Sequence, residues 1–396
     1  MIATPVLALA ARAPAPSTPL GSFESSAVSW ASWATLMCFV GLVALALVVA
    51  APANAVGGGA ERLVRGRLAW AAVAAGVLAF PAVLSHHARS ASGYDFGSAW
   101  RALFDGSNAG LLAGLETVLP PIGALILLPV AVRRVLPKPL ATGLWAAGLV
   151  LGVVALGATN FPAKRPADLG LGVFQTFMWM LHLIGAGVWI GGLVGLVVLG
   201  LRSGLDSAFW SAAIRRFAAA AMGCVAAILL SGLFLYWEHV DGPSQLFTTM
   251  YGRVLGVKLV LFGGLLVLGA VNQFWMHPRI DALRAAGDDR PLRTILVRRF
   301  PLVVGVEVAM VLALVFVAQF LHGSARNQAY QADLVKQGAA PHGKLPTLPQ
   351  KQVSASTWIE GTAETAAVLV VAIGGYRFSG RLARRRSTPA QSSSAA

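Results

Sequence analysis

The sequence predicts an all-α, polytopic integral membrane helix bundle with about nine transmembrane helices, its N-terminus outside and its C-terminus cytoplasmic. Three observations predict it. Of the 396 residues, 57% are hydrophobic and only 12% charged, about half the charge of an ordinary soluble domain. The apolar residues fall into separate runs of about 20, the length a helix needs to cross the hydrocarbon core. Basic residues collect in alternate gaps between those runs.

In order, the runs are 27–52, 68–85, 110–132, 140–159, 172–200, 212–236, 251–275, 299–321 and 358–378. Helix is the expected form, because lipid offers an exposed backbone amide no partner. The runs are too long and too evenly apolar for barrel strands. Pro81, Pro120 and Pro121 place bends in the second and third helices. Residues 1–26 form a Pro/Ala-rich lead without the basic start of a cleaved signal peptide, and they are expected to be disordered. The rest divides into a four-helix N-terminal membrane region (27–159), a second four-helix domain (172–321), an outside loop (322–357), a final helix (358–378) and a basic cytoplasmic tail (379–396). No internal repeat is visible, so an inverted-repeat transporter has no direct support.

Charge sets the orientation. With the N-terminus outside, the inside gaps hold Arg62, Arg65 and Arg67, then Arg133, Arg134 and Lys138, then Arg202, Arg215 and Arg216. The next inside loop holds Arg279, Arg284, Arg290, Arg293, Arg298 and Arg299, and the tail adds Arg377, Arg381, Arg384, Arg385 and Arg386. Each gap obeys the positive-inside rule. The net charge of +15 would raise nucleic acid as a partner for a soluble chain. Here orientation in a bilayer explains it, and no nucleic-acid partner is expected. Cys38 and Cys224, the two cysteines, both lie in apolar runs and read as small core residues, with no disulfide framework or cysteine zinc site.

This topology makes the histidines informative. His86, His87, His239 and His322 fall at outer helix ends, His342 in the outside loop, and only His277 inside. His182 lies deeper, about 15 Å into the fifth helix at 1.5 Å per residue. Imidazole is the commonest transition-metal ligand, and a one-sided collection suits an acceptor for an external metal. Interfacial histidines are also ordinary amphipathic surface residues, so this reading competes with a bland one.

The fifth helix, FMWMLHLIGAGVWIGGLVGLVVLG, carries the sharpest pattern. Met178 and His182 are four apart and share a face, and a thioether with an imidazole suits Cu(I). Trp189 continues that face. Gly187, Gly191 and Gly195 form a small-residue track for close helix packing. Met178 could equally be a core or lipid-facing methionine. Three further ionisable residues lie within runs. Glu116 and Lys258 are expected in the outer half and Glu307 near the midplane, with a Lys258–Glu307 or Lys258–Glu116 contact lining a polar path or forming a structural ion pair. No Walker A sequence, CxxC, CxxCH, GxSxG or HExxH occurs, so neither ATP-driven transport nor a catalytic site is expected.

Several segments within 172–321 carry a family resemblance: HLIGAGVWIGGL from His182, RRF at Arg215–Phe217, SG at Ser231–Gly232, YGRVLGVKLVLF from Tyr251, VNQFWMHPRI from Val271 and RRFPLVVGVEVAMVLALVF from Arg298. The pattern H-x6-W-x-G-G followed by YGR-x4-K resembles the copper resistance D (CopD) family of bacterial inner-membrane proteins. The resemblance implies copper handling at the bacterial inner (plasma) membrane, with periplasmic copper passed into or across it. It also implies a periplasmic copper-binding partner of the CopC type. His182, Trp189, Arg253 and Lys258 fall on the family pattern. A Gly-His-Ala element common before the fifth helix is missing, and ATNFPAKRPAD stands there instead.

The expectation drawn from all this is a copper ion bound or transported from the outer face. His86, His239 and His322 would capture it, Met178 and His182 would receive it, and Glu116, Lys258 and Glu307 would shape the path. The alternatives are a membrane haem b or redox protein, which needs histidine pairs at matching depth on facing helices, and a metal-related assembly scaffold without transport.

Overall fold

The computed structural model describes residues 22–52, 61–92, 94–133, 136–166, 168–201, 205, 207–276, 300–338, 345–349, 351 and 353–387. His277, His342, the arginines of 279–299 and most of the N-terminal lead lie outside the described residues. Among the described residues no strand occurs. The helices are α1 (Phe23–Leu45, continued by a π-helical turn, Ala46–Ala50), α2 (Glu61–Ser92), α3 (Phe96–Ala102), α4 (Asn108–Val132), α5 (Lys138–Ala158) and α6 (Leu169–Gly200). Then follow α7 (Ser207–His239), the single turn α8 (Gln245–Thr248), α9 (Met250–Val271, continued by a π-helical turn, Asn272–Met276), α10 (Phe300–Ala318), α11 (Ala325–Lys336) and α12 (Ala355–Ser387).

The chain is a multi-pass membrane protein: seven described helices are long and apolar enough to span. They are α1, α2, α4, α5, α6, α7 and α9. The two last apolar runs of the sequence also form helices, α10 and α12, but neither is among the seven. Most spans outrun the apolar run that marks them, because helix continues through polar flanks where water can satisfy side chains. His86 and His87 consequently lie on α2 itself.

At the centre stands α1, where Leu36, Phe39, Val40, Leu42 and Val43 are at most 2% exposed. It packs against α2, α6 and α5, and its outer end meets α10. Lipid tails are as apolar as leucine, so close approach of small residues, more than burial from water, holds such helices together. The crossing of α1 and α6 shows it. A Cβ on Gly191 would lie 2.6 Å from both the Gly41 Cα and the Met37 carbonyl oxygen. A Cβ on Gly41 would strike the Gly187 carbonyl, and one on Gly195 would strike Leu45. By contrast α7 and α9 turn Met222, Val257, Leu259, Val260 and Val267 outward, a surface made for lipid.

Side-chain contacts establish which helix ends lie together. Arg67, in the first turns of α2, donates to the Leu199 carbonyl at the C-terminus of α6, 3.0 Å away. At the opposite end Arg89 donates to Ser22 at 3.0 Å, Asn108 to the Ala163 carbonyl at 3.2 Å, and Phe23 meets the Phe316 ring. His86, His87, His239 and His322 all belong to this second end, and Arg62, Arg65, Arg67, Arg133, Lys138, Arg215 and Arg216 belong to the first. The two ends are called outer and inner below.

Two helices occupy what the sequence marked as loops. α3 begins at Asp95, whose carboxylate accepts from the Gly97 and Ser98 amides and the Ser98 hydroxyl. Those bonds hold the Asp95 carboxyl below its usual range. The helix sets Phe96, Trp100 and Phe104 outward like an interfacial aromatic belt. α11, residues 345–349 and Lys351 fold over the outer end of α7. Lys351 donates to the Trp237 carbonyl at 2.8 Å and the Val240 carbonyl at 3.3 Å, and pairs with Asp241 at 3.0 Å. A cation there satisfies the unpaired carbonyls of a helix C-terminus. Gln328 accepts from the Tyr251 amide at 2.9 Å, joining the cap to α9. Lys351→Met is expected to weaken this cap by about 1 kcal/mol, read as faster amide exchange across α11 with exchange in α1 unchanged.

Candidate functional site

The groups most able to hold a ligand form a column between α6, α7 and α9, running inward from the outer end. At its mouth the His239 ring stacks on Tyr251 with centroids 5.8 Å apart, and Trp179 meets it edge-on at 6.5 Å. Nδ1 of His239 lies 2.9 Å from the Leu235 carbonyl. A carbonyl only accepts, so Nδ1 carries the proton, which leaves Nε2 as the ring nitrogen that could ligate. Beside it, Oε1 of Glu238 accepts from the Gln175 amide, while Oε2 is buried without a hydrogen bond, 3.7 Å from Nδ1 of His239. A buried carboxylate oxygen that makes no hydrogen bond has room for a cation or a water.

Eight residues before His239 on α7, about 12 Å further in, stands Ser231, fully buried. Its hydroxyl donates to the Ala227 carbonyl at 2.6 Å. Toward Nδ1 of His182, 3.0 Å away, it has only lone pairs to offer. Nδ1 therefore holds the proton here too, and the neutral imidazole turns its Nε2 lone pair to whatever enters. A ligand nitrogen oriented through a hydrogen bond on its other nitrogen is the usual arrangement of a metal-binding histidine. Met178 lies one turn outward on the same face of α6, between Gln175 and His182, both of which bond α7.

Lys258 closes the polar part of the column. Phe262, one turn further along α9, meets Trp189 of α6 edge-on at 6.0 Å, so this face of α9 is turned toward α6. Lys258, four residues before Phe262, lies on that same face. Behind Trp189, between α1, α6 and α7, lies an apolar crevice lined by Ala44, Val48, Val188, Trp189, Phe217 and Cys224.

The other residues singled out from the sequence lie elsewhere. His86 and His87 share a corner between α1, α2 and α4. There His86 Nδ1 is 3.0 Å from the Ser29 hydroxyl, and His87 Nε2 is 3.2 Å from Glu116. Glu116 thus has His87 as its partner. Glu307, near the middle of α10, accepts from Asn272 at 2.5 Å, at the inner end of α9. Neither carboxylate pairs with Lys258, and the three ionisable residues stand in three separate places instead of lining one path. His322 is exposed after α10. Among the described residues no three His, Cys, Asp or Glu side chains converge as a metal site, so His86, His239 and His322 do not act as one cluster. Glu238 and Gln175 escaped the sequence reading, which named Ser231 and Tyr251 only as part of the family pattern. The signal for Glu238 was there, since it is seven residues beyond Ser231 and shares its helix face.

Residues 211–321 match the family described as copper resistance protein D. A relative, the copper transport protein CutJ of Bacillus subtilis (strain 168), is 34% identical over 135 residues, which make up 33% of this chain and 24% of that protein. The chain spans about a quarter of the length of the curated relative it matches. No solved structure matches. The family match begins after α6, so Met178 and His182 precede it. The family resemblance read from the sequence stands for residues 211–321, the stretch from α7 through α10 that carries Ser231, Glu238, His239, Lys258 and Glu307.

Proposed function

We propose that this protein handles copper in the bacterial inner membrane, taking the ion at the histidine-bearing end, which faces the periplasm, and holding it in the column at His182. The observation that carries the reading is the Ser231–His182 bond, which leaves Nε2 as the free nitrogen of a deep imidazole. With Met178 one turn away, the site offers soft and borderline donors, the set that favours Cu(I). Glu238 and His239 replace the trio of outer histidines as the receiving pair at the mouth. Few ligands at each station keep the ion exchangeable, where a closed four-ligand cage would trap it. The match to the copper resistance family and the name of the relative support the choice of metal. A periplasmic copper-binding protein of the CopC type fits as donor. Nine spans with the N-terminus outside remain the topology that suits this direction.

The test is metal analysis and a visible spectrum of the full chain, purified and loaded with copper under reducing conditions. About one copper per chain without a Soret band is expected. A Soret band would replace the reading with haem, and copper content indifferent to loading would replace it with a scaffold. Ser231→Ala, which takes the acceptor from Nδ1–H, is expected to weaken copper binding about tenfold, measured by chelator competition.

A further inference from the structure

Lys258 has no visible counter-charge. Among the described residues no hydrogen bond or ion pair reaches it, and the two carboxylates considered as its partners bond elsewhere: Glu116 with His87 and Glu307 with Asn272. The ring contact between Phe262 and Trp189 nonetheless turns its helix face toward the His182 side of α6. A lone ammonium in low dielectric is costly and recovers that cost only beside a negative charge. A bare copper cation on Nε2 of His182 would worsen the imbalance, placing two positive charges together with none opposing them.

We infer that His182 and Lys258 form a site for a metal–anion pair: copper on Nε2 of His182, with a small anionic co-ligand, of the halide class, between the metal and the Lys258 ammonium. The inference rests on the copper reading above and adds to it. The anion supplies the coordination that one imidazole and one thioether leave open. It also leaves the charge of the site unchanged on loading when the ion is Cu(I), since copper, anion and lysine then add to one positive charge, the same as lysine alone. Entry needs only exchange of a copper ligand, with no change in oxidation state.

Bromide is the probe. In wild type loaded with Cu(I) in bromide, X-ray absorption at the copper edge is expected to show a copper–bromine shell. Lys258→Met is expected to lack that shell, and Lys258→Arg to keep it. By chelator competition at matched ionic strength, bromide over nitrate should favour wild type against Lys258→Met by about tenfold; taking the ratio cancels bromide's own affinity for copper. A wild-type copper site without bromine, or a Lys258→Met protein with unchanged bromide response, overturns the inference while leaving the copper reading standing. If instead His182→Ala binds copper as wild type does, the copper reading itself falls and the inference with it.

Discussion

His182→Ala is expected to lower copper affinity by about 100-fold or more, beyond the 10–100-fold that removal of a ligand's outer partner costs. The reason is the geometry at Nδ1. Ser231 spends its proton on the Ala227 carbonyl, so the imidazole can satisfy Ser231 only as a donor and keeps Nε2 open. Truncation removes that nitrogen and leaves Ser231 still bonded to its own helix, so the bundle loses little else. Chelator competition on the purified full chain gives the affinity, and thermal unfolding shows that the fold survives. His182→Met separates ligation from packing. A thioether at the same place is a soft donor and is expected to recover most of the Cu(I) affinity. Should His182→Ala bind copper as tightly as wild type, the column is not where the ion rests.

Gly191→Val is expected to cost about 3 kcal/mol, the upper part of the range for forcing methyl groups into a packed interior. The added Cβ would meet backbone, the Gly41 Cα and the Met37 carbonyl, which cannot rotate away as a side chain can. The helices must separate, and α1 is the one around which the others are arranged. Gly143→Val on α5 is the control, since nothing lies within 4 Å of a Cβ there. Unfolding in a denaturing detergent should distinguish the two by a clear shift for Gly191→Val and almost none for Gly143→Val. Equal behaviour would mean that the α1–α6 contact is not what holds the centre.

Hydropathy made the spans legible, because each needs a continuous apolar run and the bilayer admits no other solution. The arginine gaps made the gathering of histidines at one end legible as well. Three things were not. The seats of α3 and α11 were hidden in polar loops, whose helices are held by an Asp95 cap and by Lys351 contacts far along the chain. The partners of Glu116 and Glu307 were misread, because depth along a helix does not say which neighbour it faces. And the role of Ser231 depends on where one hydroxyl proton points, which no spacing encodes. Met178 with His182 was readable from a four-residue interval; Glu238 needed α7 and α6 side by side before an oxygen without a hydrogen bond meant anything.

The contact of Trp189 with Phe262 has an electrical consequence. If copper is held at His182 as proposed, the polar groups of its column end at Lys258, and the apolar stretch between the Trp189–Phe262 contact and the Asn272–Glu307 pair would take most of the membrane potential. An ion at His182 therefore feels nearly the outer potential, and its arrival there is almost indifferent to voltage. Whatever work the potential does, about 2.3 kcal/mol per unit charge for each 100 mV, falls on the single step past Trp189.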